Sequence, residues 1–239
     1  MIRRLTRTLR VDDGAFRAYV ARPDAGDAPA VVVLHEVFGV NDGMKARCDE
    51  LAADGYVAVC PDLFWRIEPG VALDDRSAAG LARAAALYDA FDLEHGVADI
   101  VATIDAIRRE TLGSEGVAVL GYCLGGLLAY LVAARTRVDA AVSYYGVGID
   151  DHLAAAEALH APLLMHLAGE DRFVPPAAQE RIVEALSRRA GVEIHRYPRR
   201  EHAFARRGGA HFDADDAALA DARTAAFLAA HLHPVDAGG

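Results

Sequence analysis

Cysteine is scarce in this chain: three residues among 239, Cys48, Cys60 and Cys123. An odd, widely spaced set excludes a disulfide framework and fits no zinc-binding spacing. No metal and no cofactor is therefore expected, and free thiols suit a reducing cytoplasm. No apolar run reaches the ~18 residues that a membrane-spanning helix needs. The first ten residues carry charge with no apolar stretch after them, so no signal peptide is expected. Positive charge is in deficit, with 25 Lys and Arg against 35 Asp and Glu, a net charge of -10. That balance argues against nucleic acid or an anionic membrane as partner, but not against a small anionic substrate facing a local arginine. Internal repeats, low-complexity linkers and obvious domain boundaries are also missing.

What is there fits one α/β domain over residues 1–239, long enough to bury a sizeable core and expected to act as a monomer. Residues 2–10 and 15–21 read as a short antiparallel pair around Asp12-Asp13-Gly14. The continuous apolar runs 30–35, 56–60, 116–120, 138–145 and 162–168 read as strands covered on both faces, followed by 192–197. Helical spacing marks 44–54, 77–90, 92–109, the stretch after Gly126, 151–159, 177–189 and about 214–231. Residues 23–29 form a polar connector, and the tail 233–239 is expected to fray. The alternation predicts a mostly parallel, doubly wound sheet flanked by helices.

Between an apolar strand and an apolar helix stands Gly121-Tyr122-Cys123-Leu124-Gly125-Gly126. This is the G-x-S-x-G nucleophile elbow with sulfur in place of oxygen. Small residues at 121 and 125 let the chain fold back on itself, and the turn lifts Cys123 beside a helix N-terminus that favours a thiolate. A lone motif of this kind is also compatible with a buried packing cysteine, so its partners decide.

A thiol nucleophile needs a base, and the base an orienting group. In open α/β sheets such groups lie in loops after the strands. After the strand 162–168 come Glu170 and Asp171, of which Asp171 is favoured because the chain turns there. Of ten histidines, His202 is favoured, because it sits in the loop directly after the last strand and ahead of the last helix. His35 and His166 lie on or at the ends of strands, and His195 within one. The order nucleophile, acid, histidine is that of α/β-hydrolases. The oxyanion hole falls to the backbone N–H groups of Leu124 and Val37.

Six segments in the right order make the chain similar to the dienelactone hydrolases (carboxymethylenebutenolidases). They are Glu36–Asn41, Pro61–Phe64, Gly121–Gly126, Tyr144–Gly148, Gly169–Pro175 and His202–Arg206. The resemblance implies an α/β-hydrolase fold, a Cys123–His202–Asp171 triad, and metal-free hydrolysis of a small lactone or ester that carries a carboxylate. It implies Glu36 beside the thiol, keeping it neutral until substrate binds and then taking its proton. It implies Arg206 as the anchor for the substrate carboxylate, with Phe38, Tyr145 and Tyr88 as further contacts. The family's second arginine is Leu81 here. Arg83 is the nearest candidate to replace it, although two positions along a helix faces elsewhere. Ala203 stands where the family often has serine, and Tyr88 where it has tryptophan. These departures leave the chemistry in place and open the substrate. A general carboxylesterase or thioesterase, and a non-catalytic binding protein on the same scaffold, are the rival readings.

Overall fold

The computed structural model describes residues 1–24, 28–110 and 116–232. All eight strands join one sheet in the order β1-β2-β4-β3-β5-β6-β7-β8. The edge begins with β1 (Ile2–Val11) and β2 (Gly14–Pro23), an antiparallel hairpin paired from Ile2 with Pro23 to Val11 with Gly14. At ten residues a strand it is longer than the short pair the sequence suggests. β2 runs antiparallel to β4 (Val57–Pro61). From there β3 (Ala30–Leu34), β5 (Val117–Tyr122), β6 (Ala140–Tyr144), β7 (Leu163–Ala168) and β8 (Val192–Tyr197) are all parallel.

The sheet is covered on both sides because its strands are apolar on both faces. Val31 and Val33 point into one layer with Cys48 and Leu51 of α1 (Asp42–Ala53) and Phe227 and Leu228 of α6 (Ala214–His231). Val32 and Leu34 point into the other, with Ile100 and Ile104 of α3 (Leu93–Arg109), Leu128 of α4 (Leu124–Arg135) and Ile182 of α5 (Pro176–Leu186). The period-2 alternation of a single strand thus feeds two cores. α2 (Ala78–Ala90) is peripheral: only Gly80, Ala84 and Leu87 are buried, and only Leu87 joins the second layer. Cys48 and Cys60 are free, buried core residues.

The helix expected over 151–159 is instead two 3-10 turns, Ile149–Asp151 and Leu153–Ala158. The tail 233–239 and the middle of the connector 23–29 lie outside the described residues.

Chain order reverses at the centre of the sheet: from β3 the chain first builds outward to β4, then crosses back to β5 on the other side. The ends of these neighbouring strands are level, with Leu34 opposite Gly121, Tyr122 opposite Tyr144, and Ala168 opposite Tyr197. The loops that follow therefore open onto one rim, at the switch point where open α/β sheets bind ligands.

The approach of α4 to β3 is as close as backbone allows. A Cβ on Gly125 would stand 2.2 Å from the Leu34 carbonyl oxygen, and one on Gly121 would stand 1.9 Å from the Gly125 oxygen. Both obstacles are main chain, which cannot rotate away. Gly125→Ala is expected to lower unfolding free energy by at least about 2 kcal/mol, as overpacking a tight site does. Urea denaturation followed by circular dichroism checks this.

Candidate active site

Cys123 caps α4 in a left-handed conformation, φ 55° and ψ -115°, with no side-chain capping bond. Its N–H donates to the Tyr144 carbonyl (3.0 Å), and its carbonyl accepts from Gly126, Leu127 and Val147. These bonds hold the turn so that the thiol, 7% exposed, faces a cavity of about 480 Å³.

The imidazole comes from the loop after β8 and the acid from the loop after β7. His202 Nδ1 donates to Asp171 Oδ2 at 2.7 Å, which leaves Nε2 buried, without a hydrogen-bond partner. Asp171 Oδ1 accepts from the N–H groups of Phe173 (2.8 Å) and Val174 (3.3 Å). The two loops are tied together: Gly169 N–H donates to the Tyr197 carbonyl and Glu170 N–H to that of Arg200, each at 2.8 Å. Glu170 itself is not the orienting acid. Tyr145 and Phe173 meet the His202 ring edge-on, at 5.0 and 4.9 Å between centroids, and fix its plane.

Burial opposes a charged His202. The Cys123 sulfur and the Asp171 carboxylate outweigh it and push the imidazole up to about 10. A protonated ring beside sulfur is the arrangement of an activated Cys–His pair. The amides of Leu124 and Val37 have no hydrogen-bond acceptor among the described residues. Leu124 opens α4 directly after Cys123, and Val37 lies in the loop after β3 and lines the cavity.

Val37, Phe38, Cys123, His202, Tyr88 and Arg206 all line the cavity, as the sequence suggests. Two expected contacts do not. Tyr145 is 1% exposed, opens instead on a small second cavity with Glu36, and acts as a support for His202. Its hydroxyl has no partner, and burial, then the charge of Glu36, pushes its pKa well up. Arg83 pairs with Glu68 at the surface, since two residues on from Leu81 the helix has turned by more than half a circle. Leu81 itself forms part of the wall.

Glu36 does not face the main cavity. Its Oε2 accepts from Arg206 Nε at 2.5 Å, and its buried Oε1 has no partner among the described residues. Arg206 also donates from Nη1 to Asp75 Oδ2 at 2.9 Å, and its guanidinium lies 4.8 Å from the centroid of the Phe38 ring. Glu36, Asp75 and Tyr145 keep it charged against the effect of burial. Asp75 and Phe173 are the site residues that sequence reasoning misses. Phe173 stands two places after Asp171, a position that could have pointed to it. Asp75 carries no such signal, because its partner is 131 residues away. Among the described residues no group of three or more acidic, histidine or cysteine side chains is placed to hold a metal ion, and no helix is long and apolar enough to cross a membrane.

His202 is expected to remain protonated through pH 8 and to titrate near pH 10. Cys123→Ser and Asp171→Asn should each move that titration down toward the ordinary 6.5. Histidine ring NMR shifts against pH measure both.

The dienelactone hydrolase family model matches residues 16–232. The chain is 41% identical over 218 residues to a carboxymethylenebutenolidase of Pseudomonas putida, covering 91% of this chain and 92% of that one. It is 37% identical over 216 residues to carboxymethylenebutenolidase 1 of Cupriavidus pinatubonensis, covering 90% and 92%. The crystal structure of a candidate dienelactone hydrolase from Klebsiella pneumoniae superposes with a TM-score of 0.85 at 26% identity, covering 96% of this chain and 99% of that one. A dienelactone hydrolase-like promiscuous phosphotriesterase from metagenomic libraries shares the fold, with a TM-score of 0.77 at 22% identity over 96% and 99%. Sequence, architecture and the elbow agree: the chain is a hydrolase with the α/β-hydrolase fold and belongs to the dienelactone hydrolase family.

Proposed function

We propose that the protein hydrolyses a lactone or small activated ester through a thioester on Cys123, as a cytoplasmic monomer. The observation that carries this reading is that Cys123 and His202 line one cavity, with Asp171 hydrogen-bonded to the far nitrogen of the imidazole and the Leu124 and Val37 amides without acceptors among the described residues. The relatives named carboxymethylenebutenolidase support the lactone as substrate class. The unpaired thiols suit the reducing compartment.

In the first half-reaction the sulfur attacks the acyl carbon, and the Leu124 and Val37 amides take the charge that develops on the carbonyl oxygen. The carbon–oxygen bond to the leaving group breaks, and the departing oxygen receives the His202 proton. In the second half, water loses a proton to Nε2 as it attacks the thioester, and the thiolate leaves. Asp171 holds the ring in the tautomer that both steps require. Thiolate is itself readily expelled, so the leaving oxygen must be the better leaving group, as an enolate or aryloxide is. Amides and simple alkyl esters should be poor substrates.

Glu36 joins this scheme as a proton acceptor for the thiol: it takes the sulfur's proton as substrate binds and returns it to the Cys123 thiolate once the acid product has left. The free Oε1 supports the role, and the Arg206 bond at Oε2 restrains it.

Cys123→Ser should lower kcat/KM on an enol-lactone or activated aryl ester by about 10³-fold or more, with the acyl adduct seen by mass spectrometry in the parent and lost in the variant. Faster turnover of an unactivated alkyl ester than of an enol-lactone would contradict the thioester route. Glu36→Gln should slow both turnover and iodoacetamide alkylation of Cys123 by about tenfold. Unchanged rates would remove Glu36 from the chemistry.

A further inference from the structure

Arg206 forms the wall between the main cavity and the smaller one below it. Its two carboxylate partners lie on opposite sides of that wall. Glu36 faces the smaller cavity, whereas Asp75 lines the main one. Asp75 Oδ2, 2.9 Å from Nη1, therefore occupies the place beside Arg206 where an anionic substrate group would bind. The side chains of Arg206, Glu36 and Asp75 are 20%, 4% and 17% exposed, so water and salt screen their interaction only in part. One guanidinium between two carboxylates leaves the cluster with a net negative charge.

The other basic groups of the lining have acidic partners of their own: His202 is paired with Asp171, and His211 lies 3.2 Å from Glu201. Leu81, Ala84 and Ala85 present an apolar face of α2 to the cavity, and Asp89 and Glu201 add acid to its lining. The other lining arginine, Arg172, is held over the Phe173 ring at 4.7 Å. Asp75 has no visible duty in its own turn. There the Asp74 carboxylate accepts from Arg76 N–H, and the Ser77 hydroxyl caps α2 at Gly80.

We propose that Asp75 is a specificity-determining residue, filling the anion seat at Arg206 so that the site selects neutral lactones and esters over carboxylate-bearing ones. This rests on the hydrolase reading of Cys123. A carboxylate on the substrate must displace Asp75 before it can reach Nη1, and it approaches against a net negative cluster. A neutral acyl chain needs neither step and packs on Leu81 and Ala85.

The test compares two esters with one leaving group: mono-p-nitrophenyl glutarate, and the same compound with its free carboxyl methylated. Wild type, Asp75→Asn and Asp75→Glu are assayed at low ionic strength, with Cys123→Ser as the background. Wild type should prefer the methylated ester. Asp75→Asn should shift the ratio of kcat/KM toward the anionic ester by about tenfold, mainly through its KM. Asp75→Glu, which retains the charge, should stay near the wild-type ratio. A ratio within one preparation does not depend on the fraction folded, so a purely structural effect of the substitution would leave it unmoved. An unchanged ratio in Asp75→Asn, or a wild type that already prefers the anion, overturns the proposal. If neither ester turns over above the Cys123→Ser background, the hydrolase reading fails first and the role of Asp75 falls with it.

Discussion

Cys123 is held in a left-handed backbone conformation that costs an L-residue about 1–3 kcal/mol, and the surrounding chain is built to keep it there. The Cys123 amide is tied to β6 and its carbonyl accepts three amides. Gly121 and Gly125 let strand, turn and helix meet at distances that no Cβ would permit. Because the turn cannot relax, the sulfur projects from the sheet and the first amides of α4 stay unpaired around it. A relaxed turn would bury the thiol among the apolar residues of α4 and close the cavity floor.

The level strand ends turn that local strain into a site. Four loops leave one rim, and each brings a different part: the Val37 amide, the sulfur, the acid and the imidazole. His202 and Asp171 come from adjacent loops that bond to one another directly, so they move as a unit. Tyr145, itself at φ 39°, braces the ring from below. Its buried hydroxyl has no partner among the described residues, and neither does that of Ser143 in β6, a cost accepted next to this rim.

The sequence discloses parts of this unequally. Strands buried on both faces announce themselves as β-branched runs, and the elbow as paired glycines around a central residue. His202 and Asp171 are found from chain order and position after strands, because topology brings loop ends together whatever lies between. Where a side chain points within its element is harder to read. Tyr145, read as the last residue of a strand, instead follows β6 and faces inward beneath His202. Arg83 sits on the right helix, on the wrong face of it. Asp75 lies in an irregular turn with no periodicity to mark it, and only the folded chain brings it to Arg206. Glu36 stands at the predicted strand end, but its pairing depends on that same arginine.

Cys123, His202 and Asp171 are fixed by strand ends and close-packed backbone, whereas one wall of the cavity belongs to a peripheral helix. Leu81 and Tyr88 of α2 are 50% and 36% exposed, and little of that helix enters either core layer. Replacements there meet few neighbours, so they should cost little folding free energy while changing what the cavity admits. Selection can thus reshape what this cavity admits through α2 and leave the elbow and the two loops bonded behind it untouched.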